Sequence, residues 1–156
     1  MTGDEFGDQI AEMHREIIAR LQSGKAELVE KHTEFSGGIE RVYRLIPKRG
    51  DASPTTVVYV EGDDQVNIEL GRDTLIERSR TADDPVGDRL LREVMAILTA
   101  VVFDGFSESC WISGDEVVKS EAIVNVGEDP IRTQARHLGR GSLSRAKRQT
   151  VNYEPY

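Results

Sequence analysis

Polar and apolar residues alternate along this chain in two distinct rhythms. Phe6, Ile10, Met13, Ile17 and Leu21 recur at steps of three and four, which predicts an amphipathic helix over residues 2–22. Thr2 and Glu5 have the spacing of a capping box at its start, and Ser23-Gly24 follows as a stop. A second, wider stripe runs through Val86, Leu90, Val94, Ile97, Leu98 and Val101, with Asp84 expected as N-cap, Pro85 at the first helical position and Gly105 as the end.

Elsewhere the period is two. Residues 39–46 alternate, with Tyr43 and Leu45 on one face and Val42 and Ile46 on the other, until Pro47 closes the strand. Residues 55–61 and 65–70 form a hairpin around Gly62-Asp63-Asp64, with Val66, Ile68 and Leu70 facing inward. Residues 106–112 and 116–126 form another around Ser113-Gly114-Asp115. Residues 25–34 suit a helix or an edge strand equally, and Leu75-Ile76 either extends the sheet or makes a short helical turn. Pro130 and Gly139 bracket a short third helix over 130–138.

This order predicts an α+β fold: a mostly antiparallel sheet of about five strands, with two main helices packed on it. Residues 1–138 are expected as one domain. Residues 139–156 are rich in Gly, Ser and Arg and are expected to form an extended tail.

Charge divides the chain at nearly the same place. Residues 130–156 carry +5 and the first 129 carry −13, within a net charge of −8. An acidic body repels nucleic acid and anionic membrane. The six cations of the C-terminal part are therefore the notable exception. They suit pairing with the acidic body within or between subunits, an acidic groove on a neighbouring subunit or partner anchored by Leu143, Val151 and Tyr153, or a phosphate backbone with Tyr153 and Tyr156 stacking on bases. One cysteine leaves no internal disulfide and fits a reducing compartment. Asp4, Glu5 and Asp8 do not suit a secretory signal, and the apolar run 100–103 is too short for a membrane span.

Catalytic and metal-binding signatures are weak. Glu27, Glu30 and His32 fall on no common face, and Asp63-Asp64 lies in no calcium loop. Cys110 sits at an alternating strand position, where a buried thiol is expected, and Trp111 beside it is expected to pack in the core. None of His14, His32 and His137 adjoins a nucleophile motif. The glycines at 37–38 and 139–141 lack nucleotide-loop spacing and read as turns.

The order of elements is similar to that of the type III secretion chaperones and the chaperone-like proteins that share their fold, which are small, acidic and usually dimeric. The likeness rests on element order and charge. Bacterial immunity proteins are likewise often small, acidic and α+β. These readings lead to one expectation: a cytoplasmic, non-catalytic protein-binding module, chaperone-like or immunity-like, without cofactor, metal or membrane contact. It is expected to be a homodimer and to engage a basic protein. The expected contact residues are Arg132, Arg136, Arg140, Arg145, Lys147, Arg148, Tyr153 and Tyr156, with Asp63 and Asp64 on the acidic body. The alternatives are nucleic-acid binding through the tail, and a small-molecule or enzymatic domain with a deep pocket beneath the second helix.

Overall fold

A computed structural model describes residues 4–127, 129–136 and 145–156, with backbone alone at 129 and 134–136. Its elements are α1 (Glu5–Arg20), β1 (Ala26–Phe35), β2 (Gly38–Pro47), β3 (Thr55–Val60), β4 (Gln65–Leu70), β5 (Thr74–Ser79), α2 (Asp88–Asp104), β6 (Phe106–Ser113), β7 (Glu116–Val126), β8 (Asp129–Arg136) and β9 (Lys147–Tyr153). The fold is α+β with two helices, as expected. A five-stranded antiparallel sheet runs β1-β2-β3-β4-β5, and a second sheet of four strands runs β8-β7-β6-β9.

The periodicities explain most of this. Ile10 and Ile17 of α1 are fully buried, as are Tyr43, Leu45, Val57, Val66 and Ile68 on the inner face of the first sheet. Val94, Ile97 and Leu98 of α2 pack into the same cluster as Ala122 and Val124 of β7. One core thus spans both sheets and both helices, and each large apolar side chain within it contributes roughly 1.5–3 kcal/mol. At one end Arg41, 7% exposed, ties α1 to the first sheet through Asp8 at 2.8 Å and Glu61 at 2.6 Å.

Several boundaries differ from the sequence reading. The helix over 2–22 narrows to Glu5–Arg20: its cap is Asp4, whose carboxylate accepts from Gly7 N at 3.2 Å, and Thr2 lies outside the described residues. The ambiguous stretch 25–34 is strand β1, and Leu75-Ile76 belongs to β5. α2 begins at Asp88, so Val86 stays outside it, 65% exposed. Asp84 still accepts from Arg89 N and Leu90 N, capping the first turn from a distance. The third helix expected over 130–138 is replaced, as far as Arg136, by strand β8, where Pro130 stands near the start of an edge strand, a place that tolerates proline.

Residues 147–156 are extended but belong to the fold. β9 pairs with β6 from Phe106↔Tyr153 to Ile112↔Lys147. Tyr156, 5% exposed, places its hydroxyl 2.7 Å from Ser53 O and 3.2 Å from Leu45 O. Gly105 makes the approach of β9 possible: at φ +76° it turns the chain out of α2, and a Cβ there would collide with Tyr153 O.

Glu108 of β6 joins the two sheets. Its carboxylate, 2% exposed, accepts from Arg72 N and Asp73 N at 2.9 Å each, from Thr74 Oγ1 at 2.6 Å and from Tyr153 Oη at 3.1 Å. The β4–β5 turn wraps the carboxylate closely, and Gly71 at φ +59° has no room for a Cβ beside it. Glu108→Ala would remove the acceptor of four donors, one buried and three partly buried, and unfolding in urea should show a loss of roughly 3 kcal/mol. Glu108→Gln, which turns an amide N–H₂ toward donors, should fall between the two.

Candidate functional site

The strands of the second sheet bring three of the predicted tail positions, Arg132, Arg136 and Arg148, into register with one another. In β6, Phe106, Glu108 and Cys110 face the core, so Ser107, Ser109 and Trp111 face outward. Cross-strand register then builds a row: Arg136 of β8 opposes Lys119 of β7, Lys119 opposes Trp111, and Trp111 opposes Arg148 of β9. The row crosses four strands, roughly 14 Å. The next rows outward carry Gln134, Glu121, Ser109 and Thr150, then Arg132, Ile123, Ser107 and Asn152. Glu121 is the one acid among these twelve positions.

Trp111 is half-exposed at the centre. Lys119 Nζ lies 4.5 Å from its ring centroid and the Arg148 guanidinium 5.2 Å from it. Both cations come from flanking strands and rest on the indole quadrupole. Arg148 also donates to Ser109 Oγ at 3.2 Å, and Ser109 Oγ lies 2.9 Å from Thr150 Oγ1. The cations are thereby held in place before any ligand arrives. Trp111, expected in the core, thus stands on the surface. The signal lay in strand parity, since it shares alternation with Ser107 and Ser109.

The other predicted contact residues separate. Arg132 is exposed on β8, and Arg145 and Lys147 are exposed where the described chain re-enters the sheet. Arg145 and Lys147 line a hollow of about 470 Å³ with Ile112, Gly114 and Gln149. Arg140, Leu143 and His137 lie outside the described residues. Tyr153 stacks on Phe106 at 4.7 Å and Tyr156 is buried, so both rings serve the fold. Val151 is 36% exposed on the β9 edge. Asp63 and Asp64 close the β3–β4 turn, where Arg80 Nη2 donates to Asp63 O at 2.6 Å and pairs with Asp64 at 3.3 Å.

Candidate reactive groups sit apart from one another. Cys110 is buried as expected, and burial followed by the charges of Glu108 and Asp73 pushes its thiol pKa up. Among the described residues no group of three or more His, Cys, Asp or Glu is placed to hold a metal ion, and no helix is long and apolar enough to cross a membrane. A shallow apolar groove of about 270 Å³ runs between the helices over Met13, Leu91 and Met95, rimmed by Glu12, Glu16 and Arg92. Compared with known protein families, curated proteins and solved structures, the chain matches none.

His14 is fully buried against Tyr43 at 5.3 Å. Its Nδ1 lies 2.8 Å from Ile10 O, so the neutral ring carries its proton there and Nε2 has no partner. Burial lowers its pKa, opposed more weakly by the Ile10 carbonyl and the charge of Glu30. The folded state therefore binds this proton less readily than the unfolded chain. The stabilising contribution is complete above the ordinary histidine value and declines as pH falls through it. The urea midpoint should drop between pH 7.5 and 5.5, and His14→Phe should remove the part of that slope due to one proton, at most about 1.4 kcal/mol per pH unit.

Proposed function

We propose that this protein is a non-catalytic protein-binding module whose second sheet docks an acidic surface of its partner. The observation that carries this reading is the row Arg136, Lys119, Trp111 and Arg148 on a chain whose first 129 residues carry −13. Such a face attracts carboxylates, and its half-buried tryptophan supplies an anchor of the kind that dominates interface energy. The sequence favours a basic partner for the acidic body. The proposal reverses that polarity, because Lys119 and Arg148 are held together on Trp111 and Asp64 is already paired with Arg80.

A protein partner suits the face better than nucleic acid. The Trp111 ring already carries two cations, 4.5 and 5.2 Å from its centroid, and Tyr153 and Tyr156 turn inward, so these three rings make a poor stacking platform for bases. The acidic body also repels a long polyanion. Binding suits the chain better than catalysis, because its one thiol is buried and its pKa is pushed up, away from the reactive thiolate. Chaperone-like and immunity-like roles both need a surface that binds another protein, and the neighbouring genes would decide between them.

Capture from lysate of the native host, on immobilised wild type and on Lys119→Glu/Arg148→Glu, tests the proposal. One acidic protein should be retained by the wild type at low salt, resist nuclease and bind the variant about tenfold or more weakly. The purified partner should also shift the Trp111 emission. Equal retention by a folded variant, or retention abolished by nuclease, would sink the idea.

A further inference from the structure

The first sheet ends in a long free edge. Its order leaves β1 and β5 outermost, and β5 lies against β7 and β8 of the second sheet. Among the described residues β1 pairs on one side only, with β2, in one unbroken register of ten residues. It contains no proline, glycine or bulge, and every residue from Val29 to Phe35 is exposed. An edge of this length presents a row of unpaired main-chain groups to any strand that fits it.

Hydrogen-bond parity shows which groups those are. Lys48 N donates to Lys25 O at 3.0 Å, so the 25/48 pair is of the hydrogen-bonded type. The odd residues of β1 therefore point their N–H and C=O groups at β2. Ala26, Leu28, Glu30, His32 and Glu34 point theirs outward. The side-chain sequence then selects a partner. In an antiparallel pair of identical strands related by a two-fold axis through the sheet, opposing residues share a face, so the axis passes through a residue. Centring on Glu30 or Lys31 sets like charges against each other at the axis. Centring on His32 sets Glu30 against Glu34. Centring on Val29 sets Val29 against its own copy and Glu27 against Lys31 twice.

We propose that β1 pairs antiparallel with β1 of a second copy about a two-fold axis at Val29, joining two five-stranded sheets into one of ten. The outward groups of Leu28 and Glu30, and of Ala26 and His32, face one another across this axis and supply roughly eight main-chain hydrogen bonds. Val29, 40% exposed, becomes a close non-hydrogen-bonded pair. Lys31, a residue that deters indiscriminate edge pairing, meets Glu27 of the second copy and so discriminates for this register. Glu30 stays with Arg15 of its own chain at 3.1 Å. The interface uses nothing from the basic row of the second sheet, so either proposal stands without the other.

Sedimentation equilibrium of the full chain over micromolar to submillimolar concentrations tests it. The wild type should dimerise. Lys31→Glu should weaken the dimer about tenfold or more, and Glu27→Lys/Lys31→Glu should restore it to within about threefold. Val29→Cys should give a disulfide-linked dimer under mild oxidation, because the opposed Cα atoms of such a pair lie about 4.5 Å apart. Leu75→Cys, exposed on β5, should not. Circular dichroism confirms that each variant is folded. A wild type that remains monomeric throughout, or a dimer indifferent to Lys31→Glu whose Val29→Cys form does not cross-link, would overturn the proposal.

Discussion

The structure depends on a single buried carboxylate. Glu108 takes its hydrogen bonds from two main-chain amides and a threonine of the β4–β5 turn, and from a tyrosine of β9. No cation is among these four donors. They replace the water the charge has lost, and they do so only if both sheets and β9 are in place together. Two meandering sheets that could pack at many angles are thereby held at one.

The same two strands also position the surface face. β6 turns Glu108 inward and Ser109 and Trp111 outward, while β9 turns Tyr153 inward and Arg148 outward. Whatever fixes the seam fixes the spacing of the cations on the far side. The charge reversal evident in the sequence survives in the structure with a different meaning. It marks β8 and β9, the two edges of the second sheet, and does not simply divide a folded body from a loose end.

What was legible in the sequence was whatever an element states on its own. The stripe of α1, the alternation of Tyr43 and Leu45, and that of Val66, Ile68 and Leu70 each reflect a face buried along the element's length. β1 was ambiguous because only Ala26 and Leu28 pack toward the core and the exposed residues after them show no alternation. β8 read as a helix because Pro130 serves a helix start and an edge strand equally well. β9 was hidden because Val151 and Tyr153 are too few to signal burial without β6 beside them. Glu108 was invisible for the opposite reason, since a glutamate on the inward parity of a strand looks like an error until its donors arrive from two other segments. The cationic row needed register, and register is a property of pairs.

The sequence distances across the seam bear on the order of events during folding. β2 to β5 and β6 to β8 join neighbours along the chain and close short loops. The partners of Glu108 stand 34 to 45 residues away, and Tyr156 reaches Leu45 across 111. Closing such loops costs entropy before any contact is gained, so the hairpins form first and the seam closes late. A chain caught in between has both sheets, an unshielded glutamate and β6 with a vacant edge. That vacancy would offer a neighbouring molecule the place that β9 later takes, the condition under which a strand is exchanged between copies.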